Sequence, residues 1–414
     1  MESSLLFNLA TLAYLAAMVL YVAFLVLKKE NVGKSASVLA YAGLAVQTVA
    51  LIMRWAESYQ MGIGRVPLSN LYESLVFFTW CTVLIYVVVE WKYKTRAFGA
   101  FVMPVAFMAL AFINVAGISN DITPLVPALK SNWLLYHVLL SFISYATFGV
   151  AFAVSIIYLL QDTEERGSAG YLAAALGIST VLIVLGYVLN SAGMKVQFWM
   201  GLGILAMVWF TYMVVKGALS RPQVYLFITF CTTLASGMLI FMGIDFLIFK
   251  MLHQTSAADD GFRKHMFEST FISNSIPVIA ISWAGVLALF AVIWSSGLKI
   301  KVMLKQFLPA QEILDDLNYR MIAIGWPLFT AGGLVMGAIW ANSAWGTYWG
   351  WDPKETWSLI TWFVYSIYLH ARYVRGWKGT QMAVISSIGF LSVIFTYLGV
   401  NLVLSGLHSY GGMN

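Results

Sequence analysis

Residues 5–27 read LLFNLATLAYLAAMVLYVAFLVL, twenty-three positions without a single charge. A helix needs about 20 such residues to cross the hydrocarbon layer, where the backbone must satisfy its own hydrogen bonds. The run is too long and continuous for a barrel strand. It lacks a basic n-region and is long enough to remain as a span, so it does not read as a cleavable signal peptide. Outward from it, eleven similar runs follow at about 36–53, 71–90, 98–117, 133–160, 171–190, 198–215, 224–249, 275–297, 321–341, 357–371 and 380–403. The fold class is therefore an all-α polytopic membrane bundle of about twelve transmembrane helices. Composition agrees, with 61% hydrophobic and 10% charged residues in 414 positions, outside the range of soluble domains.

In a soluble protein the net charge of +6 would point to nucleic acid, but here the basic residues sit in short connections between spans. Lys28, Lys29 and Lys34; Lys92, Lys94 and Arg96; Arg166; Lys216 and Arg221; Lys299, Lys301, Lys305 and Arg320; and Arg372, Arg375 and Lys378 fall in alternate loops. The positive-inside rule puts those loops in the cytoplasm and both termini outside, in a bilayer and without a nucleic-acid partner. The acidic loop 161–170, with Asp162, Glu164 and Glu165 against one arginine, fits this frame least well. Cys81 and Cys231 lie in separate apolar runs, where packing is their expected role.

The outer loop 340–357, WANSAWGTYWGWDPKETW, holds Trp340, Trp345, Trp349, Trp351 and Trp357. An interfacial aromatic belt accounts for one or two tryptophans, but not readily for five in eighteen residues. Indoles bury large area, stack on π systems and keep an N–H for hydrogen bonding, so they suit a flat apolar ligand with charged edges, such as a porphyrin. Asp352, Pro353 and Glu355 invite a catalytic reading, yet they have the spacing of an N-cap, an N1 proline and a capping-box partner, which is preferred. Asn70 and Glu73 repeat that spacing at the start of the third span.

Five histidines sort by side in this frame. His137, one turn after Trp133, and His408, just past the last span, both fall at the depth of the tryptophan loop. Two neutral imidazoles there could ligate one heme iron, although a satisfied interfacial histidine is the alternative for each. His370 follows Trp351 by nineteen residues, about 28 Å of helix rise, and cannot share that iron. Trp362, Ser366 and His370 line one helix face at four-residue spacing. His253 and His265 fall in a polar outer loop and read as solvated; Asp245 has no assignment.

Taken together, WGTYWGWDPKETW (345–357), ITWFVYSIYLH (360–370), FTYLGVNLVLSGLHSYG (395–411), PLSNLYESLVFF (67–78) and PALKSNWLLYHV (127–138) resemble the CcsA (ResC) family. This is the membrane subunit of the System II cytochrome c synthase, within the tryptophan-rich WWD heme-handling superfamily. The resemblance divides the chain into an N-terminal membrane half (1–165), an inserted four-span segment of unknown role (166–311) and a C-terminal half with the tryptophan loop (312–414). It implies that heme b is bound by Trp340, Trp345, Gly346, Trp349, Trp351, Asp352, Glu355 and Trp357, with Trp345, Trp349, Trp351 and Asp352 presenting it. His137 and His408 would ligate an outer heme and His370 a heme within the membrane. It further implies a heme lyase acting with a CcsB companion, which supplies the second ligand of the membrane heme. Its substrate would be the Cys-x-x-Cys-His motif of apocytochrome c, at the outer face of a bacterial cytoplasmic membrane. A heme exporter of the same superfamily and a cytochrome b electron carrier are the other readings. The PLSNLYESL and HSYG matches argue against the first, and only His137 with His408 could pair as in the second.

Overall fold

A computed structural model describes residues 2–68, 70–94, 96–115, 118–122, 124, 130–162, 173, 177, 181, 220–233, 276–304 and 308–399. Among the described residues the regular structure is entirely helical. Six helices are long and apolar enough to cross a membrane: Ser3–Leu27, Glu30–Gln60, Leu71–Tyr93, Asn132–Asp162, Gln311–Trp345 and Thr380–Tyr397. Gly99–Val115 and Ile276–Leu304 occupy the expected runs 98–117 and 275–297, but their strongly apolar stretches are shorter. Pro353–Arg375 covers the expected run 357–371 as a 23-residue helix that is not among the six. The expected spans 171–190 and 198–215 lie outside the described residues apart from 173, 177 and 181, and 224–249 is described only to 233.

Contacts divide the chain into two compact units, Met1–Ile113 with Ile118–Tyr158 and Phe307–Asn414, and Asn114–Gly117 with Leu159–Gln306. In the second, the Tyr225 hydroxyl donates to the Trp294 carbonyl at 2.6 Å, and Phe290 stacks beyond it. The site lies in the first unit, whose helices are α1 (Glu2–Leu27), α2 (Glu30–Gln60), α3 (Leu71–Tyr93), α4 (Gly99–Val115), α5 (Asn132–Asp162), α6 (Gln311–Phe329), α7 (Gly337–Trp345), α8 (Pro353–Arg375) and α9 (Thr380–Ile394). The π-helical turns Thr330–Met336 and Phe395–Gly399 join α6 to α7 and extend α9.

Helix α1 reveals its solvent by what it buries. Ala10, Tyr14, Ala17, Tyr21 and Leu25, three or four residues apart, form the packed face, while Leu5, Leu9, Leu12, Val19, Val22 and Val26 are exposed. A continuous apolar outer stripe of this kind is tolerated in lipid and not in water. Polar bonds knit the packed face. Tyr14 donates to Gln47 at 2.6 Å, and Gln47 donates to the Val76 carbonyl at 2.9 Å. Tyr21, Tyr86 and Ser37 all donate to the buried carboxylate of Glu90. Such interhelical bonds contribute about 0.6 kcal/mol each in a membrane.

Helix α3 starts as its spacing predicts, with Asn70 Oδ1 accepting from the Glu73 amide at 2.8 Å. Glu73 departs from expectation. Its carboxylate does not close a capping box but pairs with buried Arg54 of α2 at 2.8 Å. The guanidinium also donates to the carbonyls of Asn120 and Asp121, tying the segment after α4 to the start of α3. An arginine nineteen positions away offers a charge-assisted bond that outweighs a neutral one to the N-cap amide. Cys81 and Cys231 are buried free thiols, in keeping with packing.

Candidate functional site

Two helices meet closely where α6 gives way to α7. Pro327 lacks an N–H, which weakens the helix there, and the next residues widen into the π turn Thr330–Met336. Gly332 and Gly337 open and close the resulting bend against α5. A Cβ on Gly332 would lie 2.4 Å from that of Leu140, and one on Gly337 would lie 2.9 Å from His137 Nδ1. Only glycine permits this approach, and it brings the Gly332 carbonyl to His137. The imidazole donates from Nδ1 at 2.8 Å, which selects the tautomer whose lone pair is on Nε2.

The ring plane is set as well. His137 stacks on Trp340 of α7 at 5.8 Å between centroids and 11° between planes. Trp340 is itself buried and meets Trp345 edge-on at 4.9 Å. Helix α7 ends at Gly346, whose φ of +79° is the left-handed conformation that terminates helices. Past it, Trp349 and Trp351 lie perpendicular at 5.9 Å. Trp351 has a φ of +56° and is 69% exposed, a conformation that costs a non-glycine residue about 1–3 kcal/mol.

The capping box holds this strained turn. Asp352 Oδ2 accepts from the Lys354 amide at 3.1 Å, and Glu355 Oε2 accepts from the amides of Asp352 at 3.2 Å and Gly350 at 2.7 Å. Both carboxylates therefore serve the backbone, as the spacing of Asp352, Pro353 and Glu355 predicts. Trp357, one turn on, is buried against Phe395 at 4.2 Å.

These elements enclose a cleft lined by His137, Ser141 and Tyr145 of α5, Tyr348, Trp349, Lys354 and Glu355 of the loop and α8, and Tyr397 of the turn after α9. Of the expected binding residues, His137, Trp349 and Glu355 line it directly, and Trp340 backs the imidazole. Trp345, Gly346, Trp351, Asp352 and Trp357 shape the surroundings but are not in the cleft wall. His408, His253, His265 and Asp245 lie outside the described residues. Ser141 and Tyr145 escaped the sequence reading, although they follow His137 at four-residue spacing on one face. Lys354 escaped it too. Its ammonium lies 5.5 Å over the Tyr397 ring, and burial pushes its pKa down to about 8 against the opposing pull of Asp352.

Two polar atoms in the wall are buried without a protein partner, Ser141 Oγ and Trp349 Nε1. Buried donors left so cost about 1–3 kcal/mol each and point to a ligand that completes them. An aromatic wall, one fixed imidazole, one ammonium and two unsatisfied donors suit a flat apolar ligand with a metal centre and an anionic edge.

Toward the other end of α8, Trp326 and Trp362 stack at 5.5 Å and exchange bonds reciprocally. Trp326 Nε1 donates to Ser366 and Trp362 Nε1 donates to Thr330, each hydroxyl lying one turn past the partner indole. His370 continues the Trp362 and Ser366 face by one further turn and is exposed. His137 is the other histidine among the described residues.

The chain matches the family model described as "Cytochrome C assembly protein" over residues 68–194 and 196–408, a match that runs through 166–311 as well. It is 32% identical over 392 residues to the cytochrome c biogenesis protein CcsA of Gloeobacter violaceus, covering 93% of this chain and 88% of that protein. The CcsA of Synechocystis sp. is 33% identical over 417 residues, covering 99% and 97%. That of Nostoc punctiforme is 33% identical over 390 residues, covering 90% and 88%. With the family model matching most of its length and relatives of this similarity end to end, the chain belongs to the cytochrome c assembly protein family.

Proposed function

We propose that this chain works in cytochrome c biogenesis, holding heme b at the outer face of a bacterial cytoplasmic membrane for covalent attachment to apocytochrome c. The observation that carries the reading is the hydrogen bond from His137 Nδ1 to the Gly332 carbonyl. A bond of this kind orients a metal-ligating imidazole and raises the basicity of its other nitrogen. Trp340 limits rotation of the ring. Ser141 and Trp349 have donors to offer, and the aromatic wall excludes water. Bound heme supplies two vinyl groups, across which the thiols of Cys-x-x-Cys-His add, with sulfur and hydrogen joining adjacent carbons.

The chain's own part is orientation. Gripping from one face leaves the ring edge accessible, and proximity alone lowers a bimolecular barrier by several kcal/mol, about 7–11 at best. No general base is required, and Asp352 and Glu355 are occupied by backbone amides. In this reading His408 supplies the second outer ligand. His370, exposed on α8, is one ligand of a membrane heme whose other ligand comes from a CcsB companion. The tryptophan loop and both termini face outward.

The test is incubation of the chain, purified with its companion and loaded with ferrous heme, with a Cys-x-x-Cys-His peptide. Heme that stays with the peptide through acid extraction supports the reading. Tight binding without linkage favours delivery to a chaperone instead.

A further inference from the structure

We infer that Lys354 reads the carboxylate edge of the porphyrin and so sets which edge faces the incoming thiols, an assignment that rests on the heme reading of the cleft. Lys354 is the one lysine or arginine among the described residues lining the cleft. The carboxylate beside it, Glu355, accepts from two backbone amides on one oxygen, and that of Asp352 accepts from the amide of Lys354 itself. Lys354 and the first turn of α8 together make this end of the cleft electropositive. A wholly apolar ligand gives a buried ammonium no return for its desolvation, whereas a carboxylate does.

Independently of Lys354, the cleft has unmet polar capacity in Ser141 Oγ, 95% buried, and Trp349 Nε1. A ligand with polar groups at its rim uses these donors, and a bare hydrocarbon or lipid tail does not.

The geometry of porphyrin IX makes the assignment functional. Its two carboxylate side chains share one edge and its vinyl groups lie toward the other, so holding the acids at Lys354 turns the vinyls away from α8. The imidazole of His137 fixes the position of the ring centre but leaves the ring to spin about the iron–nitrogen axis. One charged contact at the rim stops that rotation. Lys354 is a positioning and specificity residue in this scheme, not a proton donor.

The test compares hemin with its dimethyl ester, which keeps the iron and ring but not the acidic groups. Both are titrated by Soret absorbance into the full chain in detergent with its companion. The wild type is expected to bind hemin at least tenfold more tightly than the diester. Lys354→Met should weaken hemin binding about tenfold and leave the diester within twofold, while Lys354→Arg keeps the preference. A purely structural lysine, holding α8 through the Tyr397 ring, predicts equal losses for both ligands, and that result overturns the assignment. So does a wild type that binds both alike, which needs no variant to fold. A wild type that binds neither overturns the heme reading of the cleft itself, and this inference with it.

Discussion

His137 and Gly332, 195 positions apart in sequence, are joined by a 2.8 Å hydrogen bond from the imidazole Nδ1 to the carbonyl oxygen. The bond requires a glycine-lined approach between α5 and the π turn, with Gly337 one helical step beyond. Replacing Gly337 by alanine puts a Cβ 2.9 Å from that nitrogen, so the ring must move. In an ordinary helix the same change gains about 1 kcal/mol. Gly337→Ala is therefore expected to hold or raise the thermal midpoint while weakening outer heme binding about tenfold, read by Soret titration. Unchanged affinity would mean that the tight approach does not orient the ligand.

His137→Gly is expected to abolish outer heme binding and cytochrome maturation, and added imidazole to restore part of both by occupying the vacated position. His408→Gly should behave alike. Full maturation in the double variant removes both residues as ligands.

Glu355 and Asp352 are distinguished by how many amides each satisfies. Asp352→Asn or Ser keeps an acceptor at the cap and should retain most heme loading, whereas Ala costs about 1 kcal/mol of local stability. Glu355→Ala strands the amides of Gly350 and Asp352 and should cost more, about 2 kcal/mol, with Gln intermediate. Proteolysis of the loop 346–352 measures both. Complete loss of heme with Asp352→Asn, at unchanged protection, would assign the charge a direct role.

Arg54 and Glu73 form an ion pair with both side chains almost fully buried. Arg54→Met should destabilise the fold by about 3–5 kcal/mol, because the carboxylate loses its guanidinium in a low dielectric. Adding Glu73→Met should recover a large part of that loss in a thermal unfolding series. Additive losses would assign Arg54 its main role at the carbonyls of Asn120 and Asp121.

His370 lies far from His137, and a membrane covers about 30 Å. Expressed alone, the chain should give a heme spectrum that depends on His137 and changes little with His370→Ala. Coexpression with the companion should add heme that His370→Ala removes. Two hemes on the isolated chain, one lost with His370, would place the missing ligand within this polypeptide.

How much the sequence by itself determined follows from range. Helicity, apolar runs of membrane length, the caps at Asn70 and Asp352 and the breaks at Pro327 and Gly346 all depend on neighbours within about five residues, so spacing reads them directly. The tryptophan loop and His137 were also visible as residue types in a place where ordinary packing does not call for them. Tertiary structure alone decided that Glu73 turns to Arg54 rather than back to its cap, since the choice depends on a guanidinium carried by another helix. It alone separated Trp340 and Trp357, which pack inward, from Trp349 in the cleft wall and exposed Trp351, although all five tryptophans looked equivalent in one loop. It alone joined His137, Ser141, Lys354 and Tyr397 around one cleft. The physical reason is that a helix sequence specifies which face is apolar, but not which neighbour meets that face or at what depth. Those are settled by how closely two backbones approach, and here glycines at 332 and 337, which carry no chemistry of their own, set that distance.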